Sequence, residues 1–111
     1  MGLSSYPRRG HVYFVELDPT KGHEIFKTRP CLVVSPDELN QHLKTVIVAP
    51  MTTGSHTYPF RVPCTFRHKS GHVVLDQLRT VDTRRLSGKG EAIEKSVLSQ
   101  CLQVLQEMFQ I

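Results

Sequence analysis

No Cys-x-x-Cys pair occurs in this sequence. Its three cysteines, Cys31, Cys64 and Cys101, are odd in number and widely spaced, which argues against a thiolate zinc site and a disulfide framework. Cys31 and Cys101 sit among apolar residues and read as small core side chains. The histidines are scattered; only His68 and His72 have metal-like spacing, and the Lys-Ser-Gly between them reads as a turn, not a helix that would align them. No metal and no cofactor are expected. No apolar run is long enough to span a bilayer, and the N-terminal residues lack the apolar stretch of a signal peptide. A cytoplasmic protein without membrane attachment is therefore expected. No glycine-rich turn joins a strand to a helix, which argues against a Rossmann unit. No internal repeat or low-complexity segment is present.

What remains is ordinary globular composition: 111 residues, 39% hydrophobic and 22% charged, with a formal net charge of +4. That length suits one domain over residues 1–111, with residues 1–8 expected to be flexible. The basic surplus is small and points only weakly to nucleic acid.

The hydrophobic pattern predicts short strands followed by one helix. His11–Asp18 alternates, with Val12, Phe14 and Glu16 on one side and Tyr13, Val15 and Leu17 on the other. The apolar runs 30–36 and 45–50 read as buried strands. Residues 36–41 suit one helical turn opened by Pro36. The stretch 51–57 reads as a hydroxyl-rich loop, 58–66 as a proline-marked edge strand, 68–71 as a turn, and 72–82 as a chain that starts as a strand. Gly88 and Gly90 read as a spacer. From Glu91 to Ile111 the apolar residues change to helical spacing, giving an amphipathic helix that packs on the core. Strands followed by a terminal helix suggest a small, strongly curved sheet or barrel.

Polar groups recur where strands end. Glu24 and Arg29 precede the second strand; Thr52 and Thr53 follow the third; Asp76, Gln77 and Arg79 follow the apolar run 73–75. Singly, each also reads as a solvated surface residue. Together they are the parts for cutting RNA by its own 2′-hydroxyl. A guanidinium fork matches phosphate oxygens, a hydroxyl donates to the same phosphate, and a carboxylate accepts a proton. His23 adds an imidazole, a side-chain type suited to acid–base work at neutral pH. The nucleophile is already tethered beside the phosphate, so no metal is required.

These residues fall in three ordered motifs. "GHVYFVELDPTKGHE…RPCLVVSP" resembles the opening signature of the MazF/PemK/Kid toxin family. "VAPMTT" resembles its second motif, "YPFRV" its "YPFEV"-like strand, and "VVLDQLRTVDTRRL" its third motif. The resemblance runs from about Arg9 to the terminal helix. It implies a compact SH3-like β-barrel with a C-terminal helix, in a homodimer. It also implies a metal-independent endoribonuclease that cuts single-stranded RNA, leaves a 2′,3′-cyclic phosphate, and is neutralised by an acidic antitoxin. By position, Arg29 would stabilise the phosphorane and donate to the leaving group. Thr52 would hold the phosphate, and Glu24 would act as base or orienting group. His23 and Asp76 are second-tier acid–base candidates. Lys21, Lys27, Thr53, Ser55, His56, Gln77 and Arg79 are RNA-binding candidates.

The motifs depart from the family in one place that matters. Where its best-known branches have glutamine and glycine in the first loop, this chain has Ile25 and Lys27, and an arginine of some relatives is replaced by Val74. Losing a glycine that tolerates positive φ predicts a different loop path. Ile25 and Phe26 would pack under the loop, meet an antitoxin, or stack on a base. Two other readings use the same scaffold. One is a toxin that binds DNA gyrase, and the other is a catalytically dead member that only binds RNA or antitoxin.

Overall fold

A computed structural model describes residues 6–18, 20–54 and 56–111. The expected flexibility of residues 1–8 thus lies largely outside the described residues, as does Ser55. Seven antiparallel strands carry the fold: β1 (His11–Glu16), β2 (Thr28–Val33), β3 (Thr45–Thr53), β4 (Arg61–Phe66), β5 (Lys69–Val74), β6 (Arg79–Asp82) and β7 (Leu86–Ala92). One helical turn, α1 (Asp37–Asn40), links β2 to β3, and the helix α2 (Lys95–Met108) ends the chain. The strands lie in the order β4-β5-β3-β2-β1-β7, with β6 also paired to β3.

The two-residue period of the strands sorts side chains into two cores. Val12, Leu32, Ala49 and Met51 point into one, where α2 covers them with Val97, Leu98, Cys101 and Leu105. Val15, Cys31, Val33, Val46 and Val48 point into the other, which Ile25 and Leu86 help to cover. Both faces of β2 and β3 are therefore buried. This explains why those segments read as continuous apolar runs and not as alternating ones. Each fully buried valine or leucine contributes about 1.5–3 kcal/mol.

The barrel expectation holds only in a loose sense. The two ends of the strand order, β4 and β7, do not hydrogen-bond to each other. Side chains bridge the seam: Arg67, just after β4, places Nη2 2.6 Å from Glu91 Oε1 in β7. Its guanidinium lies 5.0 Å from the Phe14 ring centroid and 5.3 Å from that of Phe66.

Four sequence readings are corrected. Met51, Thr52 and Thr53 extend β3 and are not loop, because they pair with Val73, His72 and Gly71 of β5. The turn sits at Arg67–His68, both with positive φ, so Lys69 and Ser70 already belong to β5. Gly88 and Gly90 are no spacer: they lie within β7, which pairs with β1. The helix starts at Lys95, because Glu91 and Ala92 pair with Val12 and His11 in that sheet. Pairing with β1 outweighs their helical spacing. Among the described residues no helix is long and apolar enough to cross a membrane.

Candidate active site

The loop between β1 and β2 is fixed at its base. The Leu17 N–H donates to the Lys27 carbonyl at 3.0 Å, and the Lys27 N–H donates to Asp18 Oδ1 at 3.2 Å. Two arginines from the far end of the chain hold the same base. Arg79 donates to the Leu17 carbonyl, and Arg85 donates to the carbonyls of Glu16 and Asp18 at 3.2 and 2.9 Å. Arg79, an RNA-binding candidate, is thus half-buried and spends part of its guanidinium on the loop.

Lys27 itself adopts the left-handed conformation, φ 67°. A residue with a Cβ pays roughly 1–2 kcal/mol there, and a glycine would remove that cost while losing about 0.5–1 kcal/mol of its own through a looser unfolded chain. Lys27→Gly is therefore expected to raise the melting temperature by about 2–5 °C. A melting temperature lowered by several degrees would show that this backbone is unstrained.

Within the loop, Ile25 packs against the second core, the first of the three fates open to it. Its N–H donates to Gln77 Oε1 at 2.9 Å, so Gln77 latches the loop from outside. Phe26 is 45% exposed, with the Lys27 ammonium 5.3 Å from its ring. Glu24 Oε1 accepts the Lys21 N–H at 2.6 Å, and the Glu24 N–H donates to the Lys21 carbonyl at 3.2 Å. The carboxylate thus closes its own turn instead of pairing with Arg29.

Arg29 stands at the start of β2, opposite Val15. It is exposed, and its Nε donates to the Phe26 carbonyl at 3.3 Å. Among the described residues its two terminal nitrogens have no partner. Arg29, Thr52 and Thr53 line a cleft of about 370 Å³ whose wall is Gly22–Phe26, which brings His23 and Glu24 to the same space. Thr52 is held there by β5, where the Gly71 backbone approaches so closely that a Cβ would sit 1.7 Å from the Thr52 carbonyl oxygen.

Asp76 and Gln77 project for a different reason. From Val48 to Met51, β3 takes three steps, while its partner takes six, from Arg79 to Val73. The extra residues form a 3-10 turn at Leu75–Gln77. Pro50, which has no N–H to donate, occupies β3 at the gap. The turn lines a second cleft of about 400 Å³ with Pro50, Asp76, Gln77 and Arg79 on one side and His23, Glu24 and Ile25 on the other. The loop is thus a shared wall: Arg29 and Thr52 stand on one flank and Asp76 on the other. Asp76 accepts two hydrogen bonds from Arg61, at 2.9 and 3.0 Å. These bonds hold its carboxyl below the usual range, which makes Asp76 a poor proton acceptor and a good anchor for Arg61.

Cys31 lies two residues from Arg29, but burial pushes its thiol up to about 12, so it supplies no thiolate at neutral pH. Lys21 is exposed at the loop's turn, and His56 lies against Tyr58, 5.0 Å between ring centroids. Sequence reasoning missed Arg61 and Gly71. Arg61 needs a partner fifteen residues away in sequence, and Gly71 looked like part of a turn.

The chain is similar to known proteins over most of its length. A family model described as PemK-like, MazF-like toxin of type II toxin–antitoxin system matches residues 8–109. The endoribonuclease PemK of Escherichia coli is 35% identical over 100 residues, covering 85% of this chain and 75% of its own length. The endoribonuclease toxin MazF of Escherichia coli is 31% identical over 99 residues, covering 89% of this chain and 86% of its own. The crystal structure of MazF from Deinococcus radiodurans superposes with a TM-score of 0.82 at 30% identity, over 97% of this chain and 100% of that one.

Proposed function

The chain belongs to the PemK-like, MazF-like toxin family of type II toxin–antitoxin systems, and from that membership we propose that it is an endoribonuclease toxin cutting single-stranded RNA at defined sequences without a metal ion. The observation that carries this reading is Arg29. Its guanidinium is exposed, with terminal nitrogens unpartnered among the described residues, in a cleft shared with Thr52 and Thr53.

The 2′-hydroxyl attacks the adjacent phosphorus, the bond to the 5′ oxygen breaks, and the products are a 2′,3′-cyclic phosphate and a 5′-hydroxyl. Negative charge grows on the non-bridging oxygens and on the departing oxygen. Arg29 donates hydrogen bonds to the non-bridging oxygens, where fixed donors lower the barrier most, and passes a proton to the departing 5′ oxygen, regaining it through solvent from the protonated base. Thr52 donates a further hydrogen bond to the phosphate. Glu24 and His23 are the proton acceptors within reach of the same cleft, and the 2′ proton goes to one of them. Asp76, held ionised by Arg61, orients rather than exchanges protons. Lys21, Lys27, Thr53, Ser55, His56, Gln77 and Arg79 contribute to holding the strand.

The protein works in the cytoplasm, as a homodimer neutralised by an acidic antitoxin. Free thiols at Cys31, Cys64 and Cys101 suit a reducing compartment. Exposed Leu39, Leu43, Phe109 and Ile111 leave apolar surface for another chain to cover.

The deciding experiment is incubation of purified protein with a long single-stranded RNA in excess EDTA, with the product ends identified. Discrete cuts ending in cyclic phosphate are expected. A folded protein that makes no cuts, or cuts only when a divalent ion is restored, would remove this reading.

A further inference from the structure

Beside the second cleft stands a stacked group that the mechanism does not use. Tyr58–Arg61 has the pattern of a type II turn: Pro59 in the second position, positive φ (64°) at Phe60 in the third, and the Arg61 N–H donating to the Tyr58 carbonyl at 3.4 Å. A bulky aromatic side chain occupies the position that favours glycine, so the turn is held at a cost. Its geometry folds Arg61 back over Tyr58, 4.6 Å from guanidinium carbon to ring centroid. His56 lies 5.0 Å from the same ring, tilted 37°. The same guanidinium is tied to Asp76, which lines the second cleft. Tyr58 is nevertheless 51% exposed, and Phe60 47%.

We propose that the His56–Tyr58–Arg61 column is a nucleobase-stacking subsite. It would take an unpaired base of the RNA flanking the scissile phosphate on the open end of the column, with His56 presenting the face, Tyr58 holding the stack together and Arg61 as the positioning residue. This rests on the nuclease reading above. Aromatic rings interleaved with a cation at the rim of a polar cleft suit a base and its backbone better than an apolar peptide. The Arg61–Asp76 pair fixes the column relative to the cleft. A base stacked there and a phosphate at Arg29 would lie on opposite flanks of the Gly22–Phe26 wall, so the strand crosses the wall.

The test uses a single-stranded RNA spanning one mapped cut site, with a 2′-deoxy sugar at the scissile nucleotide so that it binds without being cut. Affinity is measured for the wild type, Tyr58→Leu, Tyr58→Phe and Arg61→Ala. A series of oligonucleotides carrying a single abasic position each is measured alongside. Tyr58→Leu is expected to bind about tenfold more weakly, and Tyr58→Phe close to wild type. One abasic position should weaken the wild type by a similar factor and leave Tyr58→Leu unaffected. Arg61→Ala should lose affinity too, and adding it to Tyr58→Leu should cost little more. In cleavage, KM should rise while kcat changes little. Equal affinity of wild type and Tyr58→Leu, or no abasic position coupled to Tyr58, overturns the subsite even though the nuclease stands. A weakened hold on the antitoxin in that case would assign the column to protein docking. An RNA that the wild type neither cuts nor binds removes the subsite and the nuclease reading together.

Discussion

Arg29→Ala is expected to reduce RNA cleavage by about a hundred- to a thousandfold, while the thermal melt of the protein stays where it was. The first half follows from chemistry. The transition state places extra charge on the phosphate oxygens, and removing one fixed donor at such a site typically costs that much. The second half follows from geometry. Arg29 is exposed, and its one hydrogen bond is a 3.3 Å contact to the Phe26 carbonyl, so its loss should change stability by no more than about 0.5 kcal/mol. Arg29→Lys keeps the charge and loses the planar fork, and should fall between the two. Thr52→Ala removes one neutral hydrogen bond to the phosphate and should cost about tenfold. Single-turnover cleavage beside circular-dichroism melts checks all three. An Arg29→Ala protein of full activity would remove Arg29 from the mechanism, and one that melts early would make lost activity uninterpretable.

Gly71→Ala is expected to be nearly as damaging, by a different route. The added Cβ would lie 1.7 Å from the Thr52 carbonyl oxygen, 2.7 Å from the Thr52 carbonyl carbon and 2.9 Å from the Thr53 Cα. All three are backbone atoms in a paired strand, so no rotamer change relieves the clash. Only separation of β3 from β5 does. Overpacking of this kind costs about 3 kcal/mol or more, which for a domain this small lowers the melting temperature by more than about 10 °C. Cleavage measured in the cold, below that melt, should still be impaired, because the strand that moves is the one carrying Thr52. A Gly71→Ala protein melting within two or three degrees of wild type, roughly the spread of a surface substitution, would show that the strands part more easily than the geometry implies.

The legible parts of the fold were those whose burial pattern is local. In β1, Val12 and Val15 fall on opposite faces as their alternation required, and 30–36 and 45–50 were continuous apolar runs because both of their faces are covered. The stripe of α2 was equally plain. β7 was not, because two glycines at positive φ give it the composition of a linker, and only its long-range pairing with β1 makes it a strand. The site divides in the same way. Arg29 and Thr52 could be nominated from their motifs, and the structure does bring both to one cleft. Their separation from Asp76 could not be read, since it depends on a three-residue excess in one strand relative to its partner. Nor could the latch from Gln77 to the Ile25 amide, fifty-two residues apart in sequence.

The anchors of the β1–β2 loop have a consequence for the order of events during synthesis. The loop and Arg29 leave the ribosome early, but everything that fixes the loop comes late: the latch at Gln77, then the guanidinium groups of Arg79 and Arg85. Chains acquire structure from the N-terminus as they emerge, so a nascent chain shorter than 85 residues has the Arg29 side chain without the wall that shapes its cleft. The outer edge of β1 likewise waits for Leu86–Ala92. The wall of the cleft is therefore completed only by the last third of the chain to be made.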